Sequence, residues 1–307
     1  MKGDKGDRGS GIGDRTPRRS ERSRRQPRVA PSRSPTPDPR SPLVLKLGGE
    51  LLEQPGDLQH IAEGIASLAT QASLVVVHGG GREIDAALAT AGIPKHQVDG
   101  LRVTDARTLD VVVAVLAGAI NTRLVAALRR AGARPVGLTG ADASVVTVRR
   151  ASAVAGVGGA KVDLGLVGSP INNGSPQLLT DLLARGYVPV VACLGATRGG
   201  ELLNVNADTL ASHLAIHLGA RRLVIAGGTA GVLDAEGRTI AHLTARAAAR
   251  LIRDGTASKG MVAKLEACRA ALRKGVGDVF IANGRDVRID GLAGARAPLP
   301  GCTQVVR

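Results

Sequence analysis

Lys46-Leu47-Gly48-Gly49 closes one short apolar run, and a second run, Val75-Val76-Val77, ends in His78-Gly79-Gly80-Gly81. Glycine has no side chain to keep a phosphate away, and it can bend so that successive backbone N–H groups face an anion, above all where a helix begins just beyond. The lysine adds positive charge. Two such turns, one carrying a lysine, predict a cradle for the phosphates of a nucleotide.

Three further segments carry residue types suited to anion chemistry. In Gly100-Leu101-Arg102-Val103-Thr104-Asp105 the arginine could grip a carboxylate through both arms of its guanidinium, or be a surface charge paired with an aspartate. Asn204-Val205-Asn206-Ala207-Asp208 crowds two amides and an acid at the start of a helix. Asn206 suits the N-cap, which leaves Asn204 and Asp208 unexplained. In Ser258–Leu265, Gly260 opens an amphipathic helix and Lys264 follows one turn on, either extending over the same anion or standing as a solvated helix lysine. His213 and His217 are one helical turn apart, as zinc ligands can be, but lack the adjacent glutamate and third ligand of that motif. They read as a helix-surface or core pair. Ala226-Gly227-Gly228-Thr229-Ala230-Gly231 is glycine-rich with the wrong spacing for a dinucleotide fingerprint.

The elements that must position these residues alternate. Leu43–Leu47, Leu74–Val77, Ala133–Leu138, Tyr187–Leu194, Arg222–Ala226 and Asp278–Ala282 read as strands. Asp57–Thr70, Arg82–Ala91, Asp105–Ala131, Ser175–Arg185, Ala207–Leu218, Ala245–Asp254 and Val262–Lys274 read as helices, the longest started by Asp105 and stopped by Gly132. Strands separated by helices are the pattern of a largely parallel sheet covered on both faces. Ser144–Arg149 and Lys161–Val167, around the Gly-rich 155–159 stretch, predict a hairpin excursion able to act as a lid. The pattern shifts near Ala196, so a first half for one ligand and a second half for another would meet at the C-terminal edges of the central strands.

Composition narrows the function classes. Of 307 residues 44% are hydrophobic, enough for a core, but Tyr187 and Phe280 are the only aromatic rings of their kind and tryptophan is absent. Single-strand and RNA readers stack bases on aromatic platforms, which this chain cannot build, so no nucleic-acid partner is expected. The net charge of +15 is concentrated at one end: residues 1–42 hold 12 Lys+Arg against 5 Asp+Glu, leaving 29 against 21 for the remainder. That Arg/Pro/Ser/Gly-rich leader has scarcely an aliphatic residue and is expected to be a disordered basic segment, either a dispensable tail or over-extended start, or a tether for an acidic partner. It has no apolar core of a secretory signal. No run approaches the roughly 18 uninterrupted apolar residues of a spanning helix, so no membrane role is expected. Cys193, Cys268 and Cys302 are few and widely separated, which suits a reduced compartment better than a disulfide framework.

Taken in order, Lys46–Gly49, His78–Gly81, Gly100–Thr104, Asp163-Leu164-Gly165-Leu166-Val167-Gly168, Asn204–Asp208 and Gly260-Met261-Val262-Ala263-Lys264 resemble the amino-acid kinase family, and within it the acetylglutamate kinases. The resemblance runs from about Leu43 to Arg285. It implies an α/β fold of the carbamate kinase-like type, a three-layer αβα sandwich around a mainly parallel sheet, with residues 43–195 binding the acceptor and dimerising and 196–307 binding the nucleotide. It implies transfer of the γ-phosphoryl group of ATP to the side-chain carboxylate of N-acetyl-L-glutamate, a step of arginine biosynthesis, in a cytoplasmic homodimer. By that pattern Lys46 and Lys264 flank the transferring group, and Asp208 orients both. Gly80, Gly81, Arg102 and Asn204 hold the acceptor, while Gly48, Gly49 and Gly260 serve the nucleotide phosphates. Mg2+ arrives on the ATP phosphates, with no dedicated protein metal site.

Two departures stand out. Where relatives carry a Thr-Asp or Ser-Asp pair at the end of the nucleotide-side strand, this chain has Gly227-Gly228, and Lys259 stands where relatives often have glycine. The leader also has too few apolar residues for the amphipathic N-terminal helix that joins dimers into rings in arginine-inhibited relatives, so an arginine-insensitive dimer is expected. Two other readings share these residues: a kinase for an aminoadipate or glutamate linked to an acidic carrier protein, and a non-catalytic regulatory ligand-binding domain.

Overall fold

The computed structural model describes residues 41–98, 100–155, 161–171, 176–257, 259–286, 288–294 and 301–307. The leader through residue 40, the 156–160 tip of the hairpin and the Lys259 side chain lie outside the described residues.

The apolar pentads Leu43–Leu47, Leu74–His78 and Val188–Ala192 are buried along their whole length. Only a strand covered on both faces is buried at every position. They lie in an eight-stranded sheet, in the spatial order His242–Thr244, Cys302–Val306, Asp278–Asn283, Arg222–Gly227, Leu43–Leu47, Leu74–His78, Val188–Ala192, Pro135–Thr139. Every pairing is parallel except that of Asp278–Asn283 with Cys302–Val306. Helices Ala207–His217 and Lys259–Arg273 pack on each other and on the strands Leu43–Leu47 and Arg222–Gly227, while Asn121–Arg130 packs on Val188–Ala192 and Pro135–Thr139. The three layers predicted from the alternation are present.

Register decides which residues face which layer. Lys46 is level with Ile225 and Val77, whereas Leu47 is level with Ala226 and His78. Successive side chains point to opposite faces of a strand. Lys46 therefore faces the Ala207–His217 layer, and His78 faces the long-helix layer.

The long helix, Ala106–Arg130, starts where expected, with the Asp105 carboxylate accepting from the Thr108 backbone N–H at 2.7 Å, and Gly132 beyond its end has φ 92°. Its middle, Ala114–Ile120, is wound as a π-helix. By length and composition it could cross a membrane, charges at its ends having hidden this in the uninterrupted-run reading. Yet Val112, Leu116, Ile120, Leu124 and Leu128 are buried in the same core as the sheet. Just past the π turns, Asn121 Nδ2 donates to Val190 O and to His78 Nε2, both at 3.0 Å.

Several elements differ from the sequence reading. The run Tyr187–Leu194 is divided: Val188–Ala192 stays in the central sheet, and Leu194–Ala196 enters a second, four-stranded sheet with Leu202–Val205, Val167–Pro170 and Val148–Arg150. One continuous apolar pattern serves both because each half is buried. The strands His242–Thr244 and Cys302–Val306 close the sheet at its far edge, and their short mixed sequences gave no periodic signal. The hairpin excursion is present with bounds other than Ser144–Arg149 and Lys161–Val167: Val148–Arg150 pairs with Val167–Pro170 and Val154–Ala155 with Lys161–Val162, while Ser144 ends a 3-10 turn. All three cysteines are free and buried, and the His213 and His217 rings stack with centroids 4.2 Å apart.

Burial pushes the His78 imidazole down to about 4. Between the ~6.5 of an exposed imidazole and that value, the unfolded chain takes up a proton that the folded chain refuses, so stability falls as pH drops through this window. His78→Gln should remove about 2–3 kcal/mol of the acid-induced loss between pH 7 and 4.5, an amount set by a shift of roughly two pH units. Denaturant unfolding of both proteins at the two pH values measures it, and equal losses would place the acid sensitivity elsewhere.

Candidate active site

The strand Leu43–Leu47 aims Lys46 at the start of the helix Ala207–His217. There Asn206 Oδ1 accepts from the backbone N–H groups of Asp208 and Thr209, each at 3.0 Å, which fixes the first turn and with it the Asp208 side chain. Lys46 Nζ lies 2.8 Å from Asp208 Oδ1. Lys264, from the helix Lys259–Arg273 packed alongside, places Nζ 3.1 Å from Oδ2 of the same carboxylate. Residues far apart in the chain thus share one buried acid.

Burial works against the Lys46 charge, but Asp208, with a smaller pull from Glu50, outweighs it and holds the ammonium above the ordinary lysine range. Burial works against Asp208 as well, and the two lysines hold its carboxyl below the usual carboxylate range. Burial and the Lys46 charge push Lys264 below the lysine range, with Asp208 opposing them. Two ammonium groups around one carboxylate leave a buried surplus of positive charge, the electrostatic requirement for holding an anion.

Beside this pair opens a cavity of about 230 Å³ lined by Lys46 and Asp208 together with Arg102, Asn204 and Gly100. The two glycine turns of the sequence belong to the same lining. Gly48, Gly49, Gly80 and Gly81 all line it, and a Cβ on Gly49 would lie 2.7 Å from Gly80 Cα. Neither turn can come this close with a side chain at position 49. A Cβ on Gly80 would also strike Ile120 of the long helix.

Arg102 ends the short strand Leu101–Arg102, paired with Gln97–Val98. It is buried rather than a surface charge, and it is an aspartate's partner: its Nη2 is paired with Asp85 and donates to Gly81 O at 3.3 Å, while the buried Nη1 has no hydrogen-bond partner in the structure. An orphaned guanidinium nitrogen at a cavity wall fits an anionic or carbonyl ligand. Asn204 Nδ2 donates to Thr104 Oγ1 at 3.4 Å and also lines the cavity.

Lys264 and Gly260 do not line this cavity: Lys264 is tied to it only through Asp208, and Gly260 is exposed in the first turn of its helix, with open space where a side chain would be. Sequence reasoning missed Glu50 and Cys193, which both line the cavity. Glu50 follows the Lys-Leu-Gly-Gly turn directly, and its acidity there was the available signal. Cys193 sits where the chain leaves one sheet for the other, a position that no local pattern marks. A larger cavity, about 420 Å³ between Leu52, Leu58, Arg123 and Arg130, has neither a glycine turn nor a catalytic lysine candidate. Among the described residues no three His, Cys, Asp or Glu side chains cluster to hold a metal ion.

Asp208→Asn should leave Lys46 buried beside a neutral amide, at a cost of about 3–5 kcal/mol in unfolding free energy. Adding Lys46→Met should recover part of that loss. Denaturant unfolding of the two single variants and the double variant checks this, and strictly additive losses would mean that the two charges do not interact.

This geometry can be set against known proteins. The profile of the amino acid kinase family matches residues 41–283. The chain is 46% identical over 247 residues to an acetylglutamate kinase of Sorangium cellulosum, an alignment covering 78% of this chain and 86% of that protein. It is 44% identical over 246 residues to an acetylglutamate kinase of Anaeromyxobacter sp., covering 78% and 90%. Among solved structures, the N-acetylglutamate synthase of Neisseria gonorrhoeae complexed with coenzyme A and N-acetyl-glutamate superposes with a TM-score of 0.72 at 27% identity. The match covers 87% of this chain and only 59% of that one. The carbamate kinase of Giardia lamblia bound to AMP-PNP, at TM-score 0.61, 15% identity and coverage of 87% and 98%, shares the fold. With its sheet, its glycine turns and its paired lysines in this order, the chain belongs to the amino acid kinase family.

Proposed function

We propose that the protein is an acetylglutamate kinase, transferring the γ-phosphoryl group of ATP to the side-chain carboxylate of N-acetyl-L-glutamate in arginine biosynthesis. The observation that carries this reading is the sharing of one buried carboxylate, Asp208, by Lys46 and Lys264 beside a cavity that Lys46, Asp208, Arg102 and Asn204 all line. Relatives named acetylglutamate kinase, whose own lengths are matched to 86% and 90%, support it.

The chemistry fits the residue set. A carboxylate acceptor is already ionised near neutral pH, so no general base is needed. The difficulty is to bring two anions together. Transfer passes through a loose transition state with charge spread over the phosphoryl oxygens, and catalysis rests on positioning and fixed positive charge. In this reading Lys46 and Lys264 supply that charge from opposite sides, and Asp208 fixes both ammonium groups so that they need not reorganise during transfer. Arg102 and Asn204 hold the acceptor, with Gly80 and Gly81 giving it close backbone approach, while Gly48 and Gly49 serve the nucleotide phosphates. Mg2+, carried in by those phosphates, supplies further charge neutralisation there. Gly260 keeps at most an indirect part, as the opening of the Lys264 helix. The reading extends to an acceptor half, 43–195, a nucleotide half, 196–307, and a cytoplasmic homodimer, each carried by the motif resemblance.

Arg102→Ala should raise the KM for N-acetylglutamate and leave the KM for ATP near its starting value, because the lost grip is on the acceptor alone. A variant whose ATP constant worsens instead would move Arg102 to the nucleotide side. Lys46→Ala and Lys264→Ala should lower kcat by about 10² or more with smaller changes in KM, the effect of removing a preorganised donor to the transition state. Arginine at either position should not restore the rate, since a planar fork does not replace a compact ammonium. Steady-state kinetics in a coupled assay decides both, and a Lys264→Ala enzyme retaining half its kcat would end the two-lysine mechanism.

A further inference from the structure

The turns at Gly48 and at Gly227-Gly228 end adjacent parallel strands, with Leu47 level with Ala226 and the Gly48 N–H donating to Ala226 O at 2.9 Å. The space between them is filled by the Glu50 carboxylate. A Cβ on Gly48 would strike that carboxylate, one on Gly227 would lie 3.2 Å from Oε1, and one on Gly228 would lie 3.4 Å from Glu50 Cγ. The Gly228 backbone N–H donates to Glu50 Oε1 at 2.9 Å. Three glycines and a backbone donor thus surround a single anion belonging to the chain itself. Glu50 also supplies the negative charge that Asp208 alone leaves wanting beside the two lysines, and it contributes to holding the Lys46 ammonium charged.

We propose that Glu50 is a built-in, displaceable occupant of the phosphate cradle: its carboxylate holds the glycine turns and the lysine charge in the nucleotide-free protein, and an incoming nucleotide phosphate must expel it. This rests on the ATP-dependent reading above. A phosphate oxygen seeking the Gly228 N–H and the charge of Lys46 meets a like charge already there, so nucleotide affinity is set by competition with the chain's own acid. The backbone permits the exchange. The Glu50 carbonyl accepts from Arg285 Nη2 at 2.9 Å, which holds the main chain while the half-buried side chain rotates. The Arg285 guanidinium, already paired with Asp57 at 2.7 Å, places Nη1 3.6 Å from where a Gly228 Cβ would be, so a cation stands at the cradle's rim to receive the displaced carboxylate.

Isothermal titration with ATP, in EDTA and in excess Mg2+, tests this on the full chain and on Glu50→Gln and Glu50→Ala. Both variants should bind ATP about fivefold or more tightly than the unaltered protein, the factor that like unit charges a few Å apart exert even at the dielectric constant of water. Binding of N-acetylglutamate should change less than twofold. Unchanged ATP affinity overturns the proposal. Weaker ATP binding confined to the Mg2+ titrations also overturns it and makes Glu50 a partner of the metal–nucleotide complex. Glu50→Gln keeps the size of the side chain, so it remains informative if Glu50→Ala fails to fold. An unaltered protein that turns over N-acetylglutamate and binds ATP, with variants no tighter, sinks only the Glu50 competition. An unaltered protein that neither binds ATP nor turns over N-acetylglutamate sinks the kinase reading and this proposal together.

Discussion

The site depends on one buried joint, in which Asp208 holds Lys46 and Lys264 at once. A charge buried alone is costly, and breaking such a pair strands its partner in a poor solvent for ions. The joint therefore ties together three elements: the strand Leu43–Leu47, the helix Ala207–His217 capped by Asn206, and the helix Lys259–Arg273. Each supplies one charged group. Packing of the two helices on each other, and of the Ala207–His217 helix on the strand, places those groups within ion-pair distance.

The second constraint is close approach of backbone. Gly49 and Gly80 meet at the carboxyl ends of adjacent strands because neither carries a side chain, and Gly80 is further pressed by Ile120 from the π-wound middle of the long helix. The crevice at the carboxyl ends of a parallel sheet is where open α/β folds bind their ligands. Here glycine backbone, the cations Lys46 and Arg102 and the acids Asp208 and Glu50 share one lining. The second sheet, entered where the chain leaves Val188–Ala192 for Leu194–Ala196, brings Asn204 and Val167 over the same crevice. Lys46, Arg102 and Asn204 thus reach one crevice from three different sheets.

Much of this was legible in the sequence. The apolar pentads, the spacing of helices between them and the cap residues Asp105 and Asn206 act locally, through burial pattern and backbone hydrogen bonds, so a linear reading recovers them. The motifs around Lys46, Gly80, Arg102, Asn204 and Asp208 were legible too, because glycine turns and charged residues at strand ends are rare combinations. Their roles were not. Arg102 by itself read more readily as a surface charge or an aspartate's partner than as a ligand grip, and the fold buries it beside the cavity with Asp85 as its partner. Gly260 read as part of an anion site, and the fold leaves it exposed.

What the sequence by itself determined is the kind of layer each segment can join, since that depends on which of its own side chains are apolar. Only the tertiary structure decided which charges meet. Register sends Lys46 to one face and His78 to the other, helix packing brings Lys264 to the Asp208 carboxylate, and the Glu50 carboxylate comes to lie among Gly48, Gly227 and Gly228. Electrostatic energy depends on distance and surroundings through space, which sequence separation does not encode.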